Sequence, residues 1–468
     1  MAVTAAHAFP LPAPDSSWDA RLETGATVSM SLSLAAMLLF SLAQASRPVF
    51  VSYLAFGALG LGLARLFGTT ERRLFAVVYG LSSIAAIGIF YYYTSLYGVP
   101  YLLGGSDELH YEEMGLAFAE LLGPFDYINI RGTLVAPWHN SVAYIYVVGL
   151  VDKFAMLFGE AHTLVPRLFN TAALGLTAVG VYRIAFKLEM RRPIAIACAL
   201  FAGCLPLMMY VSVQTLRDVL VSALLVALVV TWTPDRNGRL SIPGAAFVTL
   251  LVFLALIDLR RAQAAVALLI AAVGFLSTDI GRRPVVWALT FLTGLMAAAG
   301  MFLVFGDLIS TDLLFFLGQA DYYNAYRVDE TGGGLSSVVF TTPPPLGWVL
   351  RTVYALVSPI PEANLELDRV WLSLGTLVHI MFIPFMFAGL AIAVRRREAR
   401  TVLGAMVLLF VGMAMFTFQG RHIVQYLPFA IVLAGMGYER HRAQRVAIFA
   451  ATAAAGATLA FIYLLLKL

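Results

Sequence analysis

Runs of about 20 consecutive apolar residues recur along nearly the whole chain, and no other feature restricts its folding so strongly. A hydrocarbon core roughly 30 Å thick takes about 20 helical residues to cross, and inside it each backbone N–H and C=O must be satisfied within the segment. The runs are Val28 to Ala45, Val49 to Phe67, Leu74 to Tyr97, Pro166 to Lys187, Pro193 to Val211, Leu216 to Trp232 and Ile242 to Ile257. They continue with Ala264 to Leu276, Pro284 to Phe305, Val370 to Val394, Thr401 to Phe418, His422 to Gly437 and Val446 to Leu466. The runs do not alternate in polarity as barrel strands would. The expected fold is therefore an all-α polytopic membrane protein with about thirteen crossings.

Composition agrees. Hydrophobic residues make up 60% of the chain and charged residues 12%, proportions foreign to ordinary water-soluble domains. The net charge of +4 is spread over short loops, so nucleic acid is not expected as a partner, whereas membrane lipids are. Cys198 and Cys204 share one apolar run and read as inert thiols. Met1 to Thr27 reads as a loose tail without the basic start of a cleavable signal.

Loop charge sets the topology. The apolar run Val142 to Phe158 is broken by Asp152 and Lys153 and opens on Trp138, His139 and Asn140, as an interfacial amphipathic helix would. If it does not cross, the basic loops around Arg72/Arg73, Arg191/Arg192, Arg236/Arg239, Arg282/Arg283, Arg395 to Arg400 and Arg440 to Arg445 share one side, the cytoplasm. Two long loops, 98–165 and 306–369, then lie together on the outer side, and loops of such length usually carry function. The chain divides into a tail (1–27), two N-terminal crossings (28–73), a core (74–305), the second outer loop (306–369) and a C-terminal group of crossings (370–468).

The first outer loop contains GGSDELHYEEMG. Ser106 can cap a helix running from Asp107 to about Leu122, with Tyr111, Met114, Phe118 and Leu121/Leu122 on one face toward the membrane. Acids favour a helix N-terminus by about 0.3–1 kcal/mol without any further role. Alternatively, Asp107 beside Glu108 can act as a general base for an attacking hydroxyl. Glu112 and Glu113 lie within helical reach, so they could raise a neighbouring carboxyl's pKa or hold a divalent cation such as magnesium or manganese.

Arg167, Arg217, Arg260/Arg261 and Arg421 fall on the outer side, where the positive-inside bias predicts few. They could pair internally, Arg217 with Asp218 or Arg260 with Asp258, or grip a phosphate through bidentate contacts. His139 and His422 could orient a carboxylate or bind phosphate, or be structural. In the second outer loop, Tyr322, Tyr323 and Tyr326 could belong to an aromatic belt or, with the glycines 332–334 as hinge, to a lid stacking on sugar; Arg327 could assist phosphate binding.

The acidic pattern D-E-x-x-Y-x-E-M-G after a transmembrane helix resembles the first-loop signature of the GT-C superfamily, which includes protein O-mannosyltransferases and lipid A aminoarabinose transferases. LFGEAHTLVPRLFN with Arg167, SVQTLRDVL with Arg217-Asp218 and GRHIVQYLPF with Arg421-His422 extend the likeness. The Pro-Pro element often found after the motif is replaced by Ala136-Pro137-Trp138-His139, and the first two crossings have no counterpart. The resemblance implies an inverting glycosyltransferase of a bacterial inner membrane, with its site on the outer face. It implies a sugar donor on a polyprenyl phosphate, a sugar, lipid or protein acceptor, Asp107 as base and Glu108 as its partner. Arg421, Arg260, Arg217, Arg167 and Arg327 would hold the donor phosphate, and His139, His422, Tyr111, Tyr322 and Tyr326 the substrates. A polysaccharide repeat-unit polymerase or ligase is the near alternative; a lipid or solute transporter without covalent chemistry is the distant one.

Overall fold

The computed structural model describes residues 16–102, 107–135, 141–235, 240–278, 335–343, 345–358, 366–416 and 420–467. In chain order the helices are α1 (Ser16–Ala43), α2 (Arg47–Arg65), α3 (Thr69–Tyr97), α4 (Asp107–Leu121), α5 (Tyr127–Thr133), α6 (Val142–Met156), α7 (Leu164–Lys187), α8 (Arg192–Cys204) and α9 (Pro206–Ser212). They continue with α10 (Asp218–Trp232), α11 (Ile242–Leu259), α12 (Arg261–Leu276), α13 (Leu335–Thr341), α14 (Leu346–Leu356), α15 (Leu367–Arg395), α16 (Arg400–Phe416), α17 (Leu427–Arg440) and α18 (Arg445–Lys467). No strand forms among the described residues, as an apolar solvent for the backbone demands.

Six of these helices are long and apolar enough to cross a membrane: α1, α2, α3, α7, α11 and α15. The pair α8 and α9 makes a seventh if its 48° bend lies within one broken crossing. The break follows from Pro206, which pushes Leu205 to an extended conformation (φ −58°, ψ 127°). The runs 216–232 and 264–276 form helices as expected, as does the described part of 401–418, but α10, α12 and the described part of α16 have only 15, 16 and 17 residues. At about 1.5 Å per residue they fall short of a roughly 30 Å core. The run Pro284 to Phe305 lies outside the described residues.

The N-terminal expectation needs correcting. Helix α1 starts at Ser16, well ahead of Val28, because its first turns are held by charge. Asp19 pairs with Arg192 at 2.5 Å and Arg73 at 3.7 Å, and Glu23 pairs with Arg73 at 2.7 Å. Further pairs gather the basic loops at this end of the bundle: Lys187 with Asp235 at 3.1 Å, Arg191 with Glu439 at 2.7 Å, and Arg396 with Glu189 at 2.8 Å. Helix α10 runs from Asp218 toward Asp235, so Asp218 stands at the opposite end.

At that opposite end α4 packs on α6. Tyr111 meets Tyr144 edge-on with ring centroids 5.0 Å apart, and Phe118 meets Tyr146 at 5.3 Å. Two glycines allow this approach: a Cβ on Gly149 would stand 2.8 Å from the Gly115 carbonyl oxygen, and one on Gly115 would stand 2.5 Å from Val148. The apolar face of α4 is thus spent on α6 rather than turned down onto the membrane, and Leu121 is left exposed. Helix α15 approaches α17 as closely, since a Cβ on Gly389 would stand 1.8 Å from the Leu433 carbonyl oxygen. Small residues at a crossing are what let transmembrane helices touch backbone to backbone.

Candidate functional site

The chain turns from α11 to α12 at Arg260, which is extended (φ −167°, ψ 93°) and buried. Its Nη1 donates to Asp218 Oδ1 at 2.5 Å, and the same oxygen accepts from Gln425 Nε2 at 2.8 Å. Arg260 Nη2 lies 2.6 Å from His422 Nε2. A guanidinium only donates, so this contact is a hydrogen bond when Nε2 is the acceptor and the ring proton sits on Nδ1.

His422 belongs to the 3-10 turn Gly420–Gln425 that precedes α17. The same turn carries Arg421, whose Nε is 3.8 Å from Asp218 Oδ2 and whose Nη2 donates to Asp107 Oδ2. Arg217, just before α10, donates to Ser141 Oγ and, at 3.3 Å, to the Leu259 carbonyl. Arg217, Arg260 and Arg421 therefore gather around two carboxylates, Asp218 and Asp107. Asp218 is enclosed, whereas the Asp107 and Arg421 side chains keep 46% and 26% of their surface. The open edge of an otherwise buried charge network is thus the Asp107–Arg421 pair.

Glu108 and Glu112, one helical turn apart on α4, point the other way, into the protein. Glu108 Oε1 accepts from the Thr215 backbone N–H at 3.0 Å and lies 3.6 Å from Arg167 Nη2. Glu112 accepts from Tyr101 Oη at 2.7 Å and from Thr215 Oγ1. Burial raises both carboxyl pKa values, against the opposing pull of Arg167 and these hydrogen bonds, and Glu112 reaches about 7. Arg167, the first large buried side chain of α7, has no exposed surface and donates to the Pro100 carbonyl. Thr215, in the link between α9 and α10, clamps both glutamates and so fixes the helix that presents Asp107.

The residues singled out in the sequence thus divide. Asp107, Arg421, Arg260, Arg217 and His422 are brought together. Arg167 and Glu108 form a separate, enclosed pair, so Arg167 does not join the arginines at the open edge. Tyr111 is buried against Tyr144, with its hydroxyl 3.3 Å from Ser141 Oγ. His139, Tyr322, Tyr326 and Arg327 lie outside the described residues. The sequence pairing of Arg260 with Asp258 is corrected: Asp258 accepts instead from Arg131 and, at 2.7 Å, from Tyr127, both brought over by α5. Gln425, Ser141 and Thr215 were not foreseen. Only the quoted strings SVQTLRDVL and GRHIVQYLPF hinted at Thr215 and Gln425, as polar residues beside an arginine in apolar surroundings. Among the described residues no three His, Cys, Asp or Glu side chains are grouped to hold a metal ion, and Cys198 and Cys204 are free thiols. Comparison with models of known families, with characterised proteins and with solved structures finds no match.

Proposed function

We propose that this chain is a membrane glycosyltransferase that uses a polyprenyl-phosphate sugar on the outer face of a bacterial inner membrane, with about thirteen crossings arranged as in the GT-C superfamily. The observation that carries the proposal is the open Asp107–Arg421 edge of a network that gathers three arginines around two carboxylates. A largely buried arginine cluster, open on one side beside a carboxylate, suits a reaction that expels a phosphate and removes a proton.

In that reaction the acceptor hydroxyl oxygen attacks the anomeric carbon while the bond from that carbon to the phosphate oxygen breaks. The phosphate leaves with the electron pair, inverting the centre, and the hydroxyl proton passes to Asp107. Arg421 holds Asp107, and an arriving phosphate competes for that guanidinium. Arg421 then neutralises the leaving group while Asp107 turns to the acceptor. Arg260 and Arg217, fixed by Asp218, His422 and Ser141, keep the positive field in place through the exchange.

The test is sugar transfer from a synthetic polyprenyl-phosphate sugar in proteoliposomes. Asp107→Asn should lower turnover by roughly 10²–10⁴-fold, the usual contribution of a general base, while donor binding persists. Full turnover in the variant would remove Asp107 from the chemistry.

A further inference from the structure

Behind the α4 glutamates, between α4, α6 and the start of α7, lies a cavity of about 150 Å³ lined by Tyr101, Glu112, Glu113, Asp152, His162 and Thr163. Asp152 is 4% exposed and faces this space from α6, and among the described residues no hydrogen bond or ion pair reaches its carboxyl group. An isolated buried charge is costly unless something pairs with it. Among the described residues the cations nearby are engaged elsewhere. Lys153 donates to the Ala119 carbonyl and lies 5.5 Å from the centre of the Phe118 ring, while Arg167 pairs with Glu108. His162 Nδ1 accepts from the Leu164 backbone N–H at 3.0 Å, and burial and Arg167 lower its pKa to about 4, so the ring is neutral. The exposed Glu113 at the rim adds further negative potential.

We propose that this cavity is a binding site for a primary ammonium group, with Asp152 as its charge partner and Glu112 as a neighbouring acceptor. Size favours a small guest, because at about 30 Å³ per water the space amounts to roughly five waters, below the range of about 300–1,000 Å³ typical of drug-sized ligands. The donor set favours an ammonium ion over a metal, since the described carboxylates do not converge as metal ligands do. The same headgroup chemistry is offered by an aminated membrane lipid and by a small soluble amine. The site lies apart from the Asp107–Arg421 edge and does not depend on the glycosyltransferase reading.

Burial, reinforced by Glu112, pushes the Asp152 carboxyl up to about 8, so the empty cavity holds a proton at neutral pH. Glu112 and Glu113 face it from α4, Tyr101 and His162 from the flanking segments, and Arg167 from α7 beyond. An entering ammonium displaces the proton, so binding should release one and tighten up to tenfold per pH unit below about 8.

The experiment is calorimetric titration of the purified full chain with ethylammonium chloride in phosphatidylcholine nanodiscs, at pH 6.5 and pH 8, in buffers of different ionisation enthalpy. We expect a dissociation constant on the order of millimolar at pH 8, weaker binding at pH 6.5, and proton release. Asp152→Asn should weaken binding at least tenfold and abolish the proton release. In a second arm, phosphatidylethanolamine nanodiscs should suppress the ethylammonium signal if the lipid is the guest and leave it intact if the guest is soluble. No heat in wild type in either lipid, binding without proton release, or equal binding by Asp152→Asn would each overturn the proposal. The proton-release measurement uses wild type alone and stands even if the variant misfolds.

Discussion

Replacing Glu112 by glutamine tests the most quantitative feature of this end of the molecule. The carboxyl is buried and accepts from Tyr101 and Thr215, yet burial outweighs both and raises it from 4.5 to about 7. A carboxyl whose pKa is higher folded than unfolded favours the fold while protonated in both states. That contribution is fully present below pH 4.5 and is lost as pH rises to about 7. The shift of roughly 2.5 units, at 1.36 kcal/mol each, amounts to about 3 kcal/mol of destabilisation accumulated between pH 4 and pH 8. Glu112→Gln removes the titrating proton and keeps an acceptor for one of the two hydroxyls. Because Glu112 also helps raise Asp152, its removal relieves that group in the same direction. Denaturant melts in nanodiscs, followed by tryptophan fluorescence at half-unit pH steps, should give wild-type and variant curves that diverge by about 3 kcal/mol across this window, with the variant gaining on the alkaline side. Parallel curves would refute the argument, since they would mean that Glu112 ionises in the folded protein as easily as in water.

Two other perturbations address packing and the placement of the loop. Gly389→Leu inserts a side chain where the first carbon already meets the Leu433 carbonyl at 1.8 Å, so it should destabilise the α15–α17 pair by at least 1–3 kcal/mol; an unchanged melting temperature would contradict that crossing. Asp258→Asn removes the charge that draws Arg131 and Tyr127 to α11. It should increase hydrogen exchange across α5 while leaving α15 and α17 unaffected, and unchanged exchange in α5 would show that the tie is not needed.

The apolar runs, and with them the membrane class and the identity of most long helices, were legible because hydropathy and backbone satisfaction act locally. The helix from Asp107 was placed almost to the residue by the same local logic, whereas α6 runs on through Asp152 and Lys153 to Met156. Helix α1, by contrast, extends past its apolar run because Asp19 and Glu23 find Arg73 and Arg192, partners from other segments. Arginines on the unexpected side were visible in the sequence, but their partners were not. Asp218 beside Arg217 suggested a pair that the fold does not make: it sends Asp218 to Arg260 and Arg421, and Arg217 to Ser141. Sequence spacing says which residues share an end of the bundle. Only tertiary packing decides which buried carboxylate meets which guanidinium, because each choice is set by distances of a few ångströms between helices that lie far apart in the chain. For the same reason Asp152 read as a mere interruption of an apolar run, and only the fold showed it facing a cavity with no partner among the described residues.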